Sequence, residues 1–444
     1  MNEPVFFAVA YFLLMFSIGI YSWFKIRTPS DYYVAGKKAG LIPVSSSLLA
    51  TILGGAAILG TIELGRDIGW AALWFLFCAS FGLFLLVPLA KYVRRYGKYT
   101  LPDLLEHFYG SQAQFISSLV IPVAWLGIVG AQIIAAGKIL AGLGFISYQG
   151  GVMLAGVVFI FYTLFGGQIS ILKTDMFQLG FIIAGLVSLS LFAFYSPETT
   201  HLPPLQLNAL FNESFSGFDL LILILTYSVT FVVGPDIYSR LFCAKNEKTA
   251  THSVLIAAVV LIPISFALTF LGIYSHETGS AEIISFARHL LPGWFYGLLI
   301  AALLSAVMSS ADTTLLTSSL ILSGLFYADM EKPKALQLTR ILIIVLGVLS
   351  MVIALFVDSI LQSLLLALSF FSGAFVVPTL AGLLRFRVVE TQLKAAILIG
   401  GFFALAGKLI TLWGDPLPGN LIIIAGFTIN AALIFIPLRN RKKP

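Results

Sequence analysis

Residues 46–65, SSLLATILGGAAILGTIELG, form an apolar segment long enough to cross a bilayer, and it is interrupted in its middle by Gly54-Gly55. A glycine costs a helix interior about 1 kcal/mol relative to alanine, because it loses the most backbone freedom and shields its peptide groups poorly. In hydrocarbon, the N–H and C=O groups freed at such a break cannot turn to lipid. They must line a cavity or hold a bound group, unless the pair serves only to let two helices approach closely. On this segment alone both readings stand.

Only 10% of the 444 residues are charged and 59% are hydrophobic, where soluble domains carry roughly 25% charged residues. The chain is therefore expected to be an all-α polytopic membrane protein. Runs long enough to span fall at 4–24, 41–64, 70–93, 114–146, 148–170, 175–194, 218–238, 252–274, 294–320, 338–357, 359–383, 395–412 and 419–437, about 13 transmembrane helices. The first run has no basic stretch before it and no small-residue cleavage pattern after it, so it reads as a retained helix rather than a signal peptide. With the N-terminus outside, every lysine and arginine except Arg66, Arg288, Lys138 and Lys408 falls in the loops of one face, Arg240 among them with Lys245 and Lys248. The positive-inside rule then predicts a multi-pass protein of the plasma (cytoplasmic) membrane with its C-terminus inside. It also accounts for the net charge of +6 through loops facing the bilayer, with no nucleic-acid partner.

Two cysteines, Cys78 and Cys243, supply neither a disulfide framework nor a metal cluster. The histidines (His107, His201, His252, His276 and His289) fall at run ends or in loops and form no HExxH. No paired catalytic motif appears, so the chain is not expected to be an enzyme.

The polar, proline-rich stretch 195–217 separates two blocks, 41–194 and 218–383, each with five runs; residues 1–40 precede them and 384–444 follow. An odd number of spans per block inverts the second relative to the first, the mark of an inverted-repeat transporter. If the first helix of one block is broken, its counterpart should be broken too. The counterpart run contains Gly234-Pro235, and proline there removes an N–H and suits the first position of a new helical piece. Within the first block, LPDLLEHF after Thr100 has the apolar pattern of an interfacial helix. Lys138 either snorkels to an interface or acts as a ligand.

Ala306, Ser309, Ser310 and Thr313 share one helical face at spacings of i, i+3, i+4 and i+7. Neutral hydroxyl and carbonyl oxygens suit a hard monovalent cation, and carbonyls freed at the glycine break, those of Ala50 and Leu53, complete such a set. The alternative is that the hydroxyls bond back to the preceding turn of their own helix. Asp312 lies in the middle of a spanning run, where a carboxylate costs roughly 2.5–3.5 kcal/mol and is expected to be functional. Asp175, opening the helix after FGGQISILKT with Lys173 and Gln178 beside it, is its acidic companion, either as a cap or as part of a second ion or proton site.

SLLATILGG, GGQISILKTDMFQ, GPDIYSRLFCAKNEKTA and AALLSAVMSSADTTLLTSS together resemble the sodium/solute symporter family, over roughly residues 30–390. The resemblance implies the leucine-transporter fold, a 5+5 inverted repeat with one extra N-terminal and two extra C-terminal helices, closest in layout to proline-type and sialic-acid-type members. It implies a shared Na+ site on the carbonyls of Ala50, Leu53 and Ala306 and the hydroxyls of Ser309 and Ser310. A further ion site of the sialic-acid type falls on Asp175, Ser309, Asp312 and Thr313, with Asp312 replacing a hydroxyl of that pattern. Tyr227 and Phe231 fall where proline-type members place aromatic substrate contacts. Ile52 departs from the family at a position where proline-type and pantothenate-type members carry aspartate, and the sugar-binding residues of sugar-type members have no counterpart.

The half-helices that begin after each break point their positive ends at the cavity between them, which favours a carboxylate. Gly54, Gly55, Tyr227, Phe231 and Gln132 are the candidate substrate residues. The expected function is sodium-coupled import of an amino acid or other small carboxylate by alternating access. The rivals are proton coupling through Asp175 and Asp312, and a non-transporting solute sensor; the chain's end at RNRKKP, soon after its last run, favours a transporter over a sensor with an attached signalling domain.

Overall fold

The computed structural model describes residues 3–144, 146–197, 203–278, 283–357, 359–386, 388–414 and 416–436; His201, Arg387 and the basic residues from Arg439 onward lie outside the described residues. The chain begins with Glu3–Trp23 (α1) and a short capped helix, Pro29–Val34 (α2). The broken segment follows as Leu41–Ile52 (α3) and Gly55–Ile68 (α4). Leu73–Tyr96 (α5), Leu101–Tyr109 (α6), Ser111–Gly142 (α7) and Tyr148–Phe194 (α8) complete the first half. The second opens with Gly217–Leu223 (α9), a π-helical turn at Ile224–Ser228, Thr230–Val233 (α10) and Pro235–Cys243 (α11). Then come Glu247–Glu277 (α12), Ile283–Leu290 (α13), Gly293–Ser323 (α14), Pro333–Phe356 (α15) and Ile360–Leu383 (α16). Glu390–Trp413 (α17) and Pro416–Phe435 (α18) pack on one another and on α16 at the end of the chain. Among the described residues there is no strand beyond isolated bridges.

Eleven segments among the described residues are long and apolar enough to span, against the thirteen runs read from the sequence. The difference lies in Gly55–Tyr96, where the second half of the 41–64 run continues through a short 3-10 turn into the 70–93 run, and in Tyr148–Phe194, which contains both the 148–170 and the 175–194 runs. A straight helix the length of α8 would measure roughly 70 Å at 1.5 Å per residue, more than twice the roughly 30 Å hydrocarbon core. It is interrupted at Gly167, which adopts φ 54°, ψ −171° with the Tyr32 ring packed against its Cα face. The Tyr32 hydroxyl donates to the carbonyls of Thr163 and Leu164, at 3.0 and 3.2 Å, just before the interruption. Asp175, expected to open a helix, lies instead inside α8 on the limb after Gly167.

Three further features position the site. Helix α14, apart from Asp312, is apolar or hydroxyl-bearing all round and buried along nearly its whole length, and it packs against α1, α3, α4, α7, α8 and α15. A helix with no polar stripe has no solvent face to present and becomes the axis of the bundle. Helix α6, expected at the membrane surface, buries Leu101, Leu104 and Leu105 against its neighbours, chiefly α7, and starts at a capping box between Thr100 and Asp103. Finally, both breaks are present: Leu53 and Gly54 separate α3 from α4, and Gly234 separates α10 from α11. The α3 and α11 halves are joined by a main-chain clasp, with Ala39 N–H donating to Cys243 O at 3.0 Å and Lys245 N–H to Ala39 O at 2.9 Å. Arg94 Nε adds a bond to Ala244 O at 2.6 Å.

Candidate functional site

Helix α3 ends because Leu53 leaves helical geometry (φ −79°, ψ 42°) and Gly54 is extended. The last main-chain bond into α3 runs from Leu53 N–H to Leu49 O at 2.8 Å, and no main-chain N–H of Gly54 or Gly55 returns to it. Carbonyls of the final turn, including those of Ala50 and Leu53, are thereby left without helical donors in a buried place. One is taken up from across the interface: Ser310 Oγ of α14 donates to Thr51 O at 2.5 Å.

The hydroxyls of α14 divide into two kinds. Thr313 and Thr314 bond back to the carbonyls of Ser309 and Ser310 at 2.8 and 2.7 Å, the self-satisfied arrangement. Ser309 and Ser310 instead reach to other helices, Ser309 Oγ donating to Asp175 Oδ1 at 2.5 Å. Because each serine directs its proton outward, the lone pairs of its oxygen stay available to a cation. Ala50, Leu53, Ala306, Ser309 and Ser310 are all buried, with Ser310 of α14 in direct contact with the α3 end and its neighbour Ser309 turned to Asp175 of α8. This neutral oxygen set fits a monovalent cation better than a transition metal, and no group of three or more acidic, histidine or cysteine side chains suited to a metal occurs among the described residues.

Beside it lies a group that sequence reading misplaced. Arg240, assigned to a charged loop, is wholly buried on α11. Its guanidinium pairs with Asp175 Oδ2 at 3.3 Å and donates to Ser47 Oγ at 2.9 Å, Thr51 Oγ1 at 3.2 Å, Ser239 Oγ at 3.0 Å and Thr313 Oγ1. Ser47 in turn donates to Asp175. Of the four groups expected to bind a second ion, Asp175 and Thr313 are thus already bonded to a cation of the chain itself. Asp312 stands apart, accepting from Thr163 Oγ1 at 3.1 Å.

Next to the contact of Ser310 with Thr51 is a cavity of about 60 Å³. Of the candidate substrate residues, Gly54, Gln132, Tyr227 and Phe231 line it; Gly55 does not, and packs against Val307 and Ala135 instead. Gln132 Oε1 accepts from Ala56 N–H at 3.3 Å, so the side chain serves the otherwise uncapped start of α4. Tyr227 sits in the π turn, stacked on Phe75 at 4.3 Å and edge-on to Phe231 at 5.0 Å; irregular turns of this kind recur at functional sites. Trp125, Thr230, Asp236 and Thr314, which sequence reading had not identified, are among the other residues that line it. Asp236 carried the one available signal, an acidic residue directly after the Gly-Pro break. Lys138 joins neither site; it pairs with Glu63 at 3.6 Å beside a separate cavity.

Gly54 ties the two sites together. A Cβ there would lie 2.8 Å from Ser310 Cβ and 3.1 Å from Gln132 Nε2. Gly54→Ala should therefore cost about 1–3 kcal/mol by overpacking and impair ion and solute binding together, measured by thermal unfolding with and without sodium. Gly180→Ala, in open space on α8, should leave both unchanged.

Residues 32–400 match the sequence model of the sodium:solute symporter family. The osmoregulated proline transporter OpuE of Bacillus subtilis (strain 168) is 24% identical over 466 residues, covering 98% of this chain and 94% of that protein. A sodium/proline symporter of Staphylococcus aureus (strain COL) is 24% identical over 483 residues, covering 98% and 92%. Among solved structures, a Na+-coupled sialic acid symporter in a substrate-bound outward-open state superposes with a TM-score of 0.79 at 17% identity, covering 98% of this chain and 97% of that one. MhsT in complex with L-phenylalanine superposes at 0.56 with 14% identity, covering 90% and 98%. These likenesses establish the leucine-transporter fold.

Proposed function

The chain belongs to the sodium:solute symporter family, and from that membership we propose that it imports a small organic carboxylate together with sodium by alternating access. Supporting the reading above all is the Ser310 hydroxyl, which bridges α14 to the carbonyl of Thr51 at the end of α3. Sodium held by the carbonyls of Ala50, Leu53 and Ala306 and the oxygens of Ser309 and Ser310 ties the broken helix to the bundle axis. Its departure lets them separate. We take 41–194 and 218–383 as the inverted halves that rock against each other, with the N-terminus outside and the basic loops in the cytoplasm. The solute's carboxylate lies at the start of α4, where the helix dipole favours an anion, beside Gln132, Tyr227 and Phe231.

We read the position of the second ion as filled by Arg240 in this conformation, so that one sodium accompanies each solute. Asp312 gives the second reading its foothold: it is 1% exposed, makes one described hydrogen bond and forms no ion pair among the described residues, which suits a proton carrier. Proteoliposomes preloaded in two ways separate the alternatives. Accumulation of a radiolabelled amino acid under an inward sodium gradient at equal pH supports sodium coupling. Accumulation under an inward proton gradient in sodium-free medium would transfer the role to Asp312 and sink the sodium proposal.

A further inference from the structure

The cavity proposed as the solute site has walls of opposite chemistry, and the solute class inferred from those walls rests on that proposal. On one wall are donors. The first N–H groups of α4 receive no side-chain cap from Gly54, and Gln132 takes up only that of Ala56. The indole N–H of Trp125, a residue 1% exposed and lining the same cavity, has no partner among the described residues. A buried, unpartnered donor at the edge of a cavity is expected to be completed by what enters it.

On the other wall is Asp236, in the first turn of α11. A first-turn carboxylate ordinarily serves its own helix dipole, but this residue also lines the cavity and forms no ion pair among the described residues. The cation one turn further along α11, Arg240, is committed to Asp175, Ser47, Thr51, Ser239 and Thr313. A plain monocarboxylate would satisfy the donor wall and bring a second negative charge towards Asp236 in a site of low dielectric. A zwitterion satisfies both walls. We infer that Asp236 recognises a cationic nitrogen, so that the solute is an amino acid or N-alkylated amino acid with its carboxylate at α4 and its ammonium group at the start of α11.

The test uses the purified full chain with sodium present and matched ligand pairs that differ in the nitrogen: proline and cyclopentanecarboxylate, alanine and propionate, glycine betaine and 3,3-dimethylbutanoate. Apparent affinities are read from ligand-induced thermal stabilisation. At least one amine-bearing member should bind, its amine-free partner at least about tenfold more weakly, since a charge-assisted contact is worth roughly 10–150-fold in affinity. Asp236→Asn should erase that preference, and Asp236→Glu, which keeps the charge, should retain it. Equal binding within every pair, a preference that survives Asp236→Asn, or binding by no member overturns the inference. Stabilisation by sodium chloride alone, measured against potassium chloride, reports separately on the ion site. If it persists while the pairs fail, the zwitterion is wrong and the ion site stands; if it is missing from the native chain, the sodium reading itself fails.

Discussion

Asp175→Asn and Arg240→Met, made singly, should each destabilise the detergent-solubilised protein by about 3–5 kcal/mol, because each leaves its partner's charge buried and unpaired. Both side chains are 0% exposed and bonded to each other at 3.3 Å. Replacing the two together removes both uncompensated charges, so the double variant should be more stable than the sum of the single losses predicts, with a coupling of about 2–3 kcal/mol. Thermal or denaturant unfolding of the four proteins closes the cycle. Strict additivity would mean that Arg240 and Asp175 are held by their hydroxyl partners alone. The pair joins α11 to α8, while the further bonds of Arg240 reach α3 through Ser47 and Thr51 and α14 through Thr313. Its loss should therefore be felt by both broken helices at once.

The second large effect concerns the ion. Ser309→Ala with Ser310→Ala removes two oxygens of the proposed sodium set and leaves the carbonyls of Ala50, Leu53 and Ala306. A hydrogen-bond-scale contact to a charged group contributes about 1.5–3 kcal/mol, so the pair should weaken sodium binding by roughly a hundredfold to ten-thousandfold at about 1.4 kcal/mol per decade. Uptake of solute at physiological sodium should fall accordingly. The structural cost is smaller: Asp175 keeps Ser47 and Arg240, while Thr51 O loses its one described donor from α14. The double variant should fold and span the bilayer, and fail at the ion.

Much of this was legible in the sequence for physical reasons that attach to particular residues. Gly54-Gly55 and Gly234-Pro235 announce breaks because neither pair suits an unbroken helix in lipid, and both breaks are present. Helical spacing placed Ser309 and Ser310 on one face; Ser310 meets the end of α3 and Ser309 meets Asp175 of α8. The spacing did not say which hydroxyls turn back on their own helix, and only packing separates Thr313 and Thr314 from the two serines. Arg240 was illegible because a lone arginine near the end of an apolar run is assigned by charge to the nearest loop; its burial depends on Asp175 of α8, 65 residues earlier in the chain. Trp125 reads as one more aromatic in an apolar helix until its N–H is found without a partner among the described residues. The span count differed because Gly55–Tyr96 and Tyr148–Phe194 run on through short or sharply bent junctions that hydropathy alone divides.

Sodium held between the end of α3 and the serines of α14 is measurable as equilibrium binding of ²²Na⁺ to the purified protein. The native chain should show saturable ²²Na⁺ binding that unlabelled sodium displaces and potassium does not, and the folded Ser309→Ala, Ser310→Ala protein should show none at the same concentrations. Equal ²²Na⁺ binding by the two proteins would contradict that site.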